Sequence, residues 1–376
     1  MIYLDYSANT PADEKVIESF VNTEKSFTAN PNSNHISGKK AAGKMAETID
    51  KTAKLLNIAP SQIIYTSGAS ESNNTAIKGI ARMSRKRGKH IISTPLEHSS
   101  VSGCLTYLQE TGYDIDLLSI GRDGRIDTEE LKSLLRSDTV LVCVTAVDSE
   151  LGTIQPISEI SEILKDFPDC RFHCDATQAI GKIPFDFSLC DTASFAPHKF
   201  YGLNGCGVLI KKNNVTFEPL IHGGSSTTPY RSGTPALSLA VSTLTALEIA
   251  FKEKEERYKK VKGLNDDLRE FFKSYSEVRI NSPKDCVPHI LNISVNNIKA
   301  TLFQQMLSER GVCVSVKSAC SADGMPSRAV YAVSRDRKNA LSSFRISLSH
   351  LTTQEEIYDF KEIFDDLIRK NLRCYK

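Results

Sequence analysis

An excess of charge of either sign is missing from this chain. Forty-seven lysines and arginines against 45 aspartates and glutamates leave a formal charge of +2 over 376 residues. That is too little to drive nucleic-acid binding through a bulk electrostatic field. No stretch is long and apolar enough to span a bilayer, which takes about 20 residues. Met1 leads directly into the strand-like Ile2-Tyr3-Leu4, leaving no room for a signal peptide, so the cytoplasm is the expected location. The ten cysteines lack a disulfide-like rhythm. Cys170 and Cys174 flank Arg171-Phe172-His173, but that segment reads as a strand and no second ligand pair follows at zinc-site spacing. No metal site is therefore expected, and most of the thiols read as small buried apolar groups. Internal repeats, low-complexity tracts and long linkers are also absent.

What is present is an alternation of short apolar strands and amphipathic helices. Strands are predicted at 62–66, 90–93, 114–119, 139–145, 171–175, 192–196 and 207–210, and helices at 73–82, 101–111, 128–136 and 157–166. This order implies a mostly parallel sheet covered on both faces. A helical run over 235–274, with a charged, solvated face at 252–262, reads as a connector. Strands at 290–295 and 344–348 and a closing amphipathic helix at 353–369 suggest a smaller α+β unit joined by the N-terminal segment. The length itself predicts two or three domains or subdomains.

Ligands of such sheets bind at the carboxyl ends of the strands. Asp175 and Lys199 each sit at or just past one of those ends, 24 positions apart. A lysine amine can form a Schiff base with pyridoxal phosphate, and a carboxylate can keep the pyridine nitrogen protonated. Taken alone, His198-Lys199 could equally be a solvated surface pair. Residues 66–74 follow a strand and open a helix, a ready anion site, although a Gly-Ser turn with an N-cap explains the same letters. Glu97-His98 ends another strand, where the imidazole could stack on a planar cofactor or be a satisfied core histidine.

Taken together these segments resemble the cysteine desulfurases of the class V, fold type I pyridoxal phosphate-dependent aminotransferase family. The resemblance spans essentially the whole chain. It runs from Leu4-Asp5-Tyr6-Ser7-Ala8 through Asn30-Pro31-Asn32, residues 66–74, Glu97-His98, Gly152-Thr153 and 175–178 to His198-Lys199. It ends with Arg231-Ser232-Gly233-Thr234, Ser318-Ala319-Cys320-Ser321 and Arg345-Ile346-Ser347. It implies an α/β fold with a mostly parallel central sheet flanked by helices on both faces, plus a smaller α+β C-terminal domain. The large domain would span 15–255. The small one would combine 1–14 with 256–376 and carry the Cys320 loop.

The resemblance also implies roles. Lys199 would bind pyridoxal 5'-phosphate covalently and move the substrate Cα proton. Asp175 would pair with the pyridine nitrogen, Gln178 and Ser149 would face the phenolic oxygen, and His98 would stack on the ring and shuttle protons. Ala69, Ser70 and His198 would hold the phosphate, with Thr234 reaching it from a second subunit of a homodimer. Arg345 would clamp the carboxylate of L-cysteine, in a substrate pocket that includes Asn30. Cys320 lies in small, polar, turn-forming surroundings that suit a mobile nucleophile; an incidental loop cysteine is the plain alternative. It would take the sulfur as a persulfide, release alanine, and pass the sulfur to an acceptor protein serving iron–sulfur cluster assembly, thio-cofactor synthesis or tRNA thiolation. No direct nucleic-acid or membrane partner is expected.

Three departures from the family pattern stand out. Asp148-Ser149-Glu150 replaces Asn-Asn-Glu, and Ala196-Pro197 precedes His198-Lys199 where Ser-Gly is usual. The loop 223–230 reads Gly-Gly-Ser-Ser-Thr-Thr-Pro-Tyr. Ala196 lacks a hydroxyl and Pro197 lacks an N–H, so weaker phosphate binding is expected. Two alternatives stay open: another pyridoxal phosphate-dependent aminotransferase or lyase, and a non-catalytic relative that binds sulfur-pathway proteins.

Overall fold

Short runs rich in β-branched residues, such as Ile-Ile-Tyr-Thr and Thr-Val-Leu-Val-Cys, bury most of both faces and become strands of a covered sheet. The structure, a computed structural model, describes residues 1–224, 226–316 and 325–373, side chains of 371–373 excepted. The strands in chain order are β1 (Ile2–Tyr3), β2 (Ile63–Thr66), β3 (His90–Ser93), β4 (Asp114–Leu117), β5 (Thr139–Cys143) and β6 (Arg171–Asp175). They continue as β7 (Thr192–Phe195), β8 (Gly207–Lys211), β9 (Val278–Ile280), β10 (Ile290–Val295), β11 (Val312–Cys313) and β12 (Ser343–Ser347). Among the described residues, β2 to β8 form one seven-stranded sheet in the order β2-β8-β7-β6-β5-β3-β4. Neighbours from β7 to β4 pair in parallel, while β8 runs antiparallel to both β7 and β2. The mostly parallel sheet expected from the alternation is thus present.

The helices are α1 (Glu14–Ser26), α2 (Ile36–Leu56), α3 (Ala69–Ser84), α4 (Ser99–Glu110), α5 (Thr128–Leu134) and α6 (Ile157–Ile163). They continue as α7 (Leu237–Lys273), α8 (Ala300–Glu309), α9 (Arg328–Ser334), α10 (Arg337–Leu341) and α11 (Gln354–Arg373). The helix expected at 73–82 starts four residues earlier, at Ala69, because Gly68 supplies an extended N-cap position. Gly68 also faces Gly207, where a Cβ would come within 2.3 Å of the Gly68 carbonyl carbon. The turn into α3 can therefore lie flat on β8 only because Gly207 lacks a side chain.

One apolar core joins the large sheet to its helices and takes in Val287, Ile290 and Val330 from the C-terminal third. A second core unites Ile2 and Leu4 with residues of α7, β10, α8, β12 and α11, including Leu268, Ile293, Phe303, Phe344 and Phe364. The N-terminal segment thereby packs with the end of the chain. β1 pairs in parallel with β11, and the Ser347 N–H donates to the Leu4 carbonyl. The 37-residue α7 runs from the first core to the second. Among the described residues no helix is long and apolar enough to cross a membrane, and no metal-binding cluster occurs.

Candidate active site

Residues past the carboxyl ends of β2, β3, β5, β6 and β7 line a cavity of about 380 Å³, within the roughly 300–1,000 Å³ of small-molecule sites. Of the twelve site residues expected from sequence, Ala69, Ser70, His98, Ser149, Asp175, Gln178, His198, Lys199 and Arg345 line it. Asn30 and Thr234 are exposed and lie outside its wall. Cys320 lies outside the described residues.

Lys199 ends a short 3₁₀ turn after β7, and its Nζ donates to the carbonyls of Ser7 and Ala8 at 2.8 and 2.6 Å. The N-terminal segment is fixed there because Thr10 donates both its N–H and its hydroxyl to the His198 carbonyl. Burial, with the nearby Lys199 and Lys182, pushes the His198 imidazole down to about 4, so it is neutral at physiological pH.

Asp175 ends β6 and is buried. One oxygen accepts the Thr177 N–H at 2.9 Å and the other accepts the Asn73 amide at 2.9 Å. Asn73 also donates to Ser100 Oγ at 2.8 Å, and its own oxygen accepts from Ser194 Oγ and His173 Nε2. An amide oxygen only accepts, so His173 carries its proton on Nε2. Burial holds His173 down to about 4. His98 caps α4, and its Nδ1 accepts the Ser100 N–H and lies 2.8 Å from Ser100 Oγ. Burial lowers its affinity for a second proton.

At the opposite end, no side chain caps the first turn of α3. The N–H groups of Ala69 and Ser70 therefore face the cavity as an anion site. Glu71 could oppose an anion there, but its carboxylate accepts the Ser67 N–H at 2.7 Å and pairs with Arg231 at 3.0 Å. Gln178 donates to the Ser7 carbonyl, and its oxygen accepts from Lys182. Burial, and next the charge of Lys199, pulls that buried amine down to about 7. Arg345 donates to the Ser149 carbonyl at 2.8 Å and to Asp5 at 2.9 Å. Its buried Nε has no protein partner among the described residues.

The departures take a definite form. Asp148 caps its own turn, accepting the N–H groups of Glu150 and Leu151 on one oxygen; the other oxygen is buried without a partner among the described residues. Burial, followed by the Glu150 charge, pushes its carboxyl up to about 7. Pro197 sits at the first position of the 3₁₀ turn, where an N–H would have no partner within the turn. Ala196 lies outside the cavity wall. Glu97, beside His98, is buried and pushed up to about 8 by desolvation.

Sequence reasoning left Asn73, Ser100, Thr145, Lys182 and the Ser7–Ala8 carbonyls without roles. For Asn73 a signal existed. It stands with Ala76, Ile77 and Ile80 on the buried stripe of α3, where a polar residue needs buried partners. The Ser7 and Ala8 carbonyls carry no such mark.

A family model described as aminotransferase class-V matches residues 2–360. The "NifS/IcsS protein homolog" of Lactobacillus delbrueckii subsp. bulgaricus is 35% identical over 373 residues, covering 98% of this chain and 97% of its own. "Cysteine desulfurase IscS" of Dictyoglomus turgidum is 35% identical over 374 residues, covering 98% and 95%. A solved "NifS-like protein" superposes with a TM-score of 0.91 at 35% identity, covering 97% of this chain and 99% of its own. On this likeness, carried over nearly the full length and by both sequence and structure, the chain belongs to the class-V aminotransferase family, whose chemistry depends on pyridoxal phosphate.

Proposed function

We propose that this protein is a cysteine desulfurase, converting L-cysteine to L-alanine and passing the sulfur on as a persulfide on Cys320. The observation that carries the reading is the convergence of Lys199, Asp175 and Arg345 on one cavity that ends at an uncapped helix N-terminus. That donor set fits pyridoxal phosphate: free N–H groups for the phosphate, a lysine amine, and a buried carboxylate for the ring nitrogen. When bound, the cofactor supplies an electron sink for charge developing at the substrate Cα.

Lys199 Nζ holds the cofactor and, when released, moves the substrate's α-proton. Gln178 and Ser149 would face the phenolic oxygen, and His98 would cover the ring. Ala69, Ser70 and His198 bind the phosphate, joined by Thr234 from a second subunit, a role its exposure permits. Arg345 takes the substrate carboxylate, with its unpartnered Nε as the open donor. Asn30 completes the substrate side. The Cys320 thiolate bonds to the substrate sulfur as the Cβ–S bond breaks; that bond's electron pair goes to carbon, which takes up a proton and leaves in alanine. The chain flanking this cysteine supports the assignment, since Ser315 donates to Asp5 and Ser327 to Glu150, both beside Arg345 or Ser149. The eight described cysteines are free, seven of them buried, in keeping with a reducing compartment such as the cytoplasm. The separate core of residues 2–4 and 261–368 supports a division into 15–255 and 1–14 with 256–376.

The test is incubation of purified protein with pyridoxal phosphate and L-cysteine. Alanine should form together with a persulfide that is lost in Cys320→Ala. Unchanged alanine output in that variant overturns the nucleophile. Keto-acid-dependent amino transfer points to an aminotransferase, and a protein that stays colourless with cofactor points to a non-catalytic relative.

A further inference from the structure

Asp175 and His98 are joined through two intermediates. The joint is Asn73, a fully buried amide on α3 whose hydrogen-bonding capacity is wholly used inside the protein. Its two N–H bonds go to Asp175 Oδ2 at 2.9 Å and Ser100 Oγ at 2.8 Å. Its oxygen accepts from His173 Nε2 at 3.0 Å and from Ser194 Oγ. With both acceptor positions filled, the amide cannot turn over without setting its oxygen against the Asp175 carboxylate. Its N–H toward Ser100 is therefore fixed. Ser100 Oγ receives that hydrogen and has one of its own to give, and His98 Nδ1 lies 2.8 Å away. Nδ1 also accepts the Ser100 backbone N–H in a longer bond of 3.2 Å; as acceptor of both, with the hydroxyl the closer donor, it carries no proton.

We propose that Asn73 is a positioning residue that holds the Asp175 carboxylate and, through Ser100, fixes His98 in the tautomer protonated on Nε2. The ring then presents an N–H, rather than a lone pair, on the edge opposite its cap. One amide thus orients the carboxylate and sets the donor character of the imidazole. The functional meaning of both rests on the roles proposed above, but the tautomer itself can be measured without cofactor.

Asn73→Asp keeps the shape and replaces two donors by acceptors, so Ser100 Oγ must turn its hydrogen away from His98. Ser100→Ala removes the His98 branch alone and spares the core if the aspartate variant fails to fold. With ¹⁵N-labelled histidine in cofactor-free protein, wild-type His98 should show an unprotonated Nδ1. Both variants should shift part of the population to Nδ1–H. In Asn73→Asp the pyridoxal phosphate dissociation constant should also rise roughly 10- to 100-fold, the cost of one lost bond to a charged group. In Ser100→Ala, which leaves the Asp175 bond intact, it should rise several-fold less than in Asn73→Asp, a split that general loosening of the fold does not produce. An unchanged His98 tautomer in folded Ser100→Ala overturns the proposal, as does equal loss of cofactor affinity in the two variants.

Discussion

Arg345 on β12 and Asp5 near the amino terminus form a direct ion pair, Nη2 to Oδ1 at 2.9 Å, although 340 positions separate them. The guanidinium is 3% exposed, and a second arm donates to the Ser149 carbonyl. The pair holds the fork rigid with Nε open. A lysine keeps the charge but cannot reproduce this fork. Arg345→Lys should therefore raise KM for L-cysteine roughly 10- to 100-fold, with little change in bound cofactor. Steady-state kinetics together with cofactor absorbance check this; an unchanged KM removes Arg345 from the substrate site.

Lys199→Ala should leave a folded protein, since the Ser7 and Ala8 carbonyls that its Nζ bonds belong to a segment also anchored by Thr10 at the His198 carbonyl. Loss of a positioned proton carrier costs about 10²–10⁴-fold, and loss of covalent attachment adds to that. Alanine production and retention of the cofactor after dialysis give the readout.

Asp148 supplies a pH dependence. Its carboxyl is raised from an ordinary 3.8 to about 7, burial being the main cause. Above 3.8 the unfolded chain ionises this group while the folded chain keeps the proton. Its contribution to stability is therefore full at low pH and falls as pH rises toward 7, to a loss of a few kcal/mol at most. Asp148→Asn carries no charge to desolvate. Denaturant unfolding at several pH values between 3.8 and about 7 should show this variant losing less stability with rising pH than the parent. Equal slopes contradict the burial argument.

Gly207→Ala should act at a distance from any catalytic group. The new Cβ would meet backbone atoms of Gly68, which cannot yield as a flexible side chain can. About 1–3 kcal/mol of strain would push the start of α3 away from the cavity. A weaker affinity for pyridoxal phosphate is expected, with KM for L-cysteine less affected. Titration of the apo-protein with cofactor decides it.

The elements of the large sheet were legible because each is a local event. Runs of three to five consecutive apolar or β-branched residues, as in Thr139–Cys143 and the Val-Leu-Ile of Gly207–Lys211, specify a buried strand locally. Even the start of α3 had a local cause, Gly68, though periodicity alone pointed to a later turn. The departures at Ala196 and Pro197 were legible as letters but not in consequence. A proline at the first position of a turn forfeits no bond within that turn, and Ala196 stands outside the cavity wall.

The amino-acid sequence by itself determined the alternation of strands and helices, the mostly parallel sheet, and the positions of Lys199, Asp175 and His98 at element ends. Hydrophobic periodicity and turn chemistry act over a few residues, so the linear order carries them. Only the tertiary structure decided the partners. It set the Ser7 and Ala8 carbonyls against Lys199, Asp5 against Arg345, and Asn73 between Asp175 and Ser100. Those choices depend on strand register and on which end of the chain returns to which edge. Burial then decided protonation, holding His173 neutral and raising Glu97 and Asp148, because loss of water acts on whatever group the fold encloses.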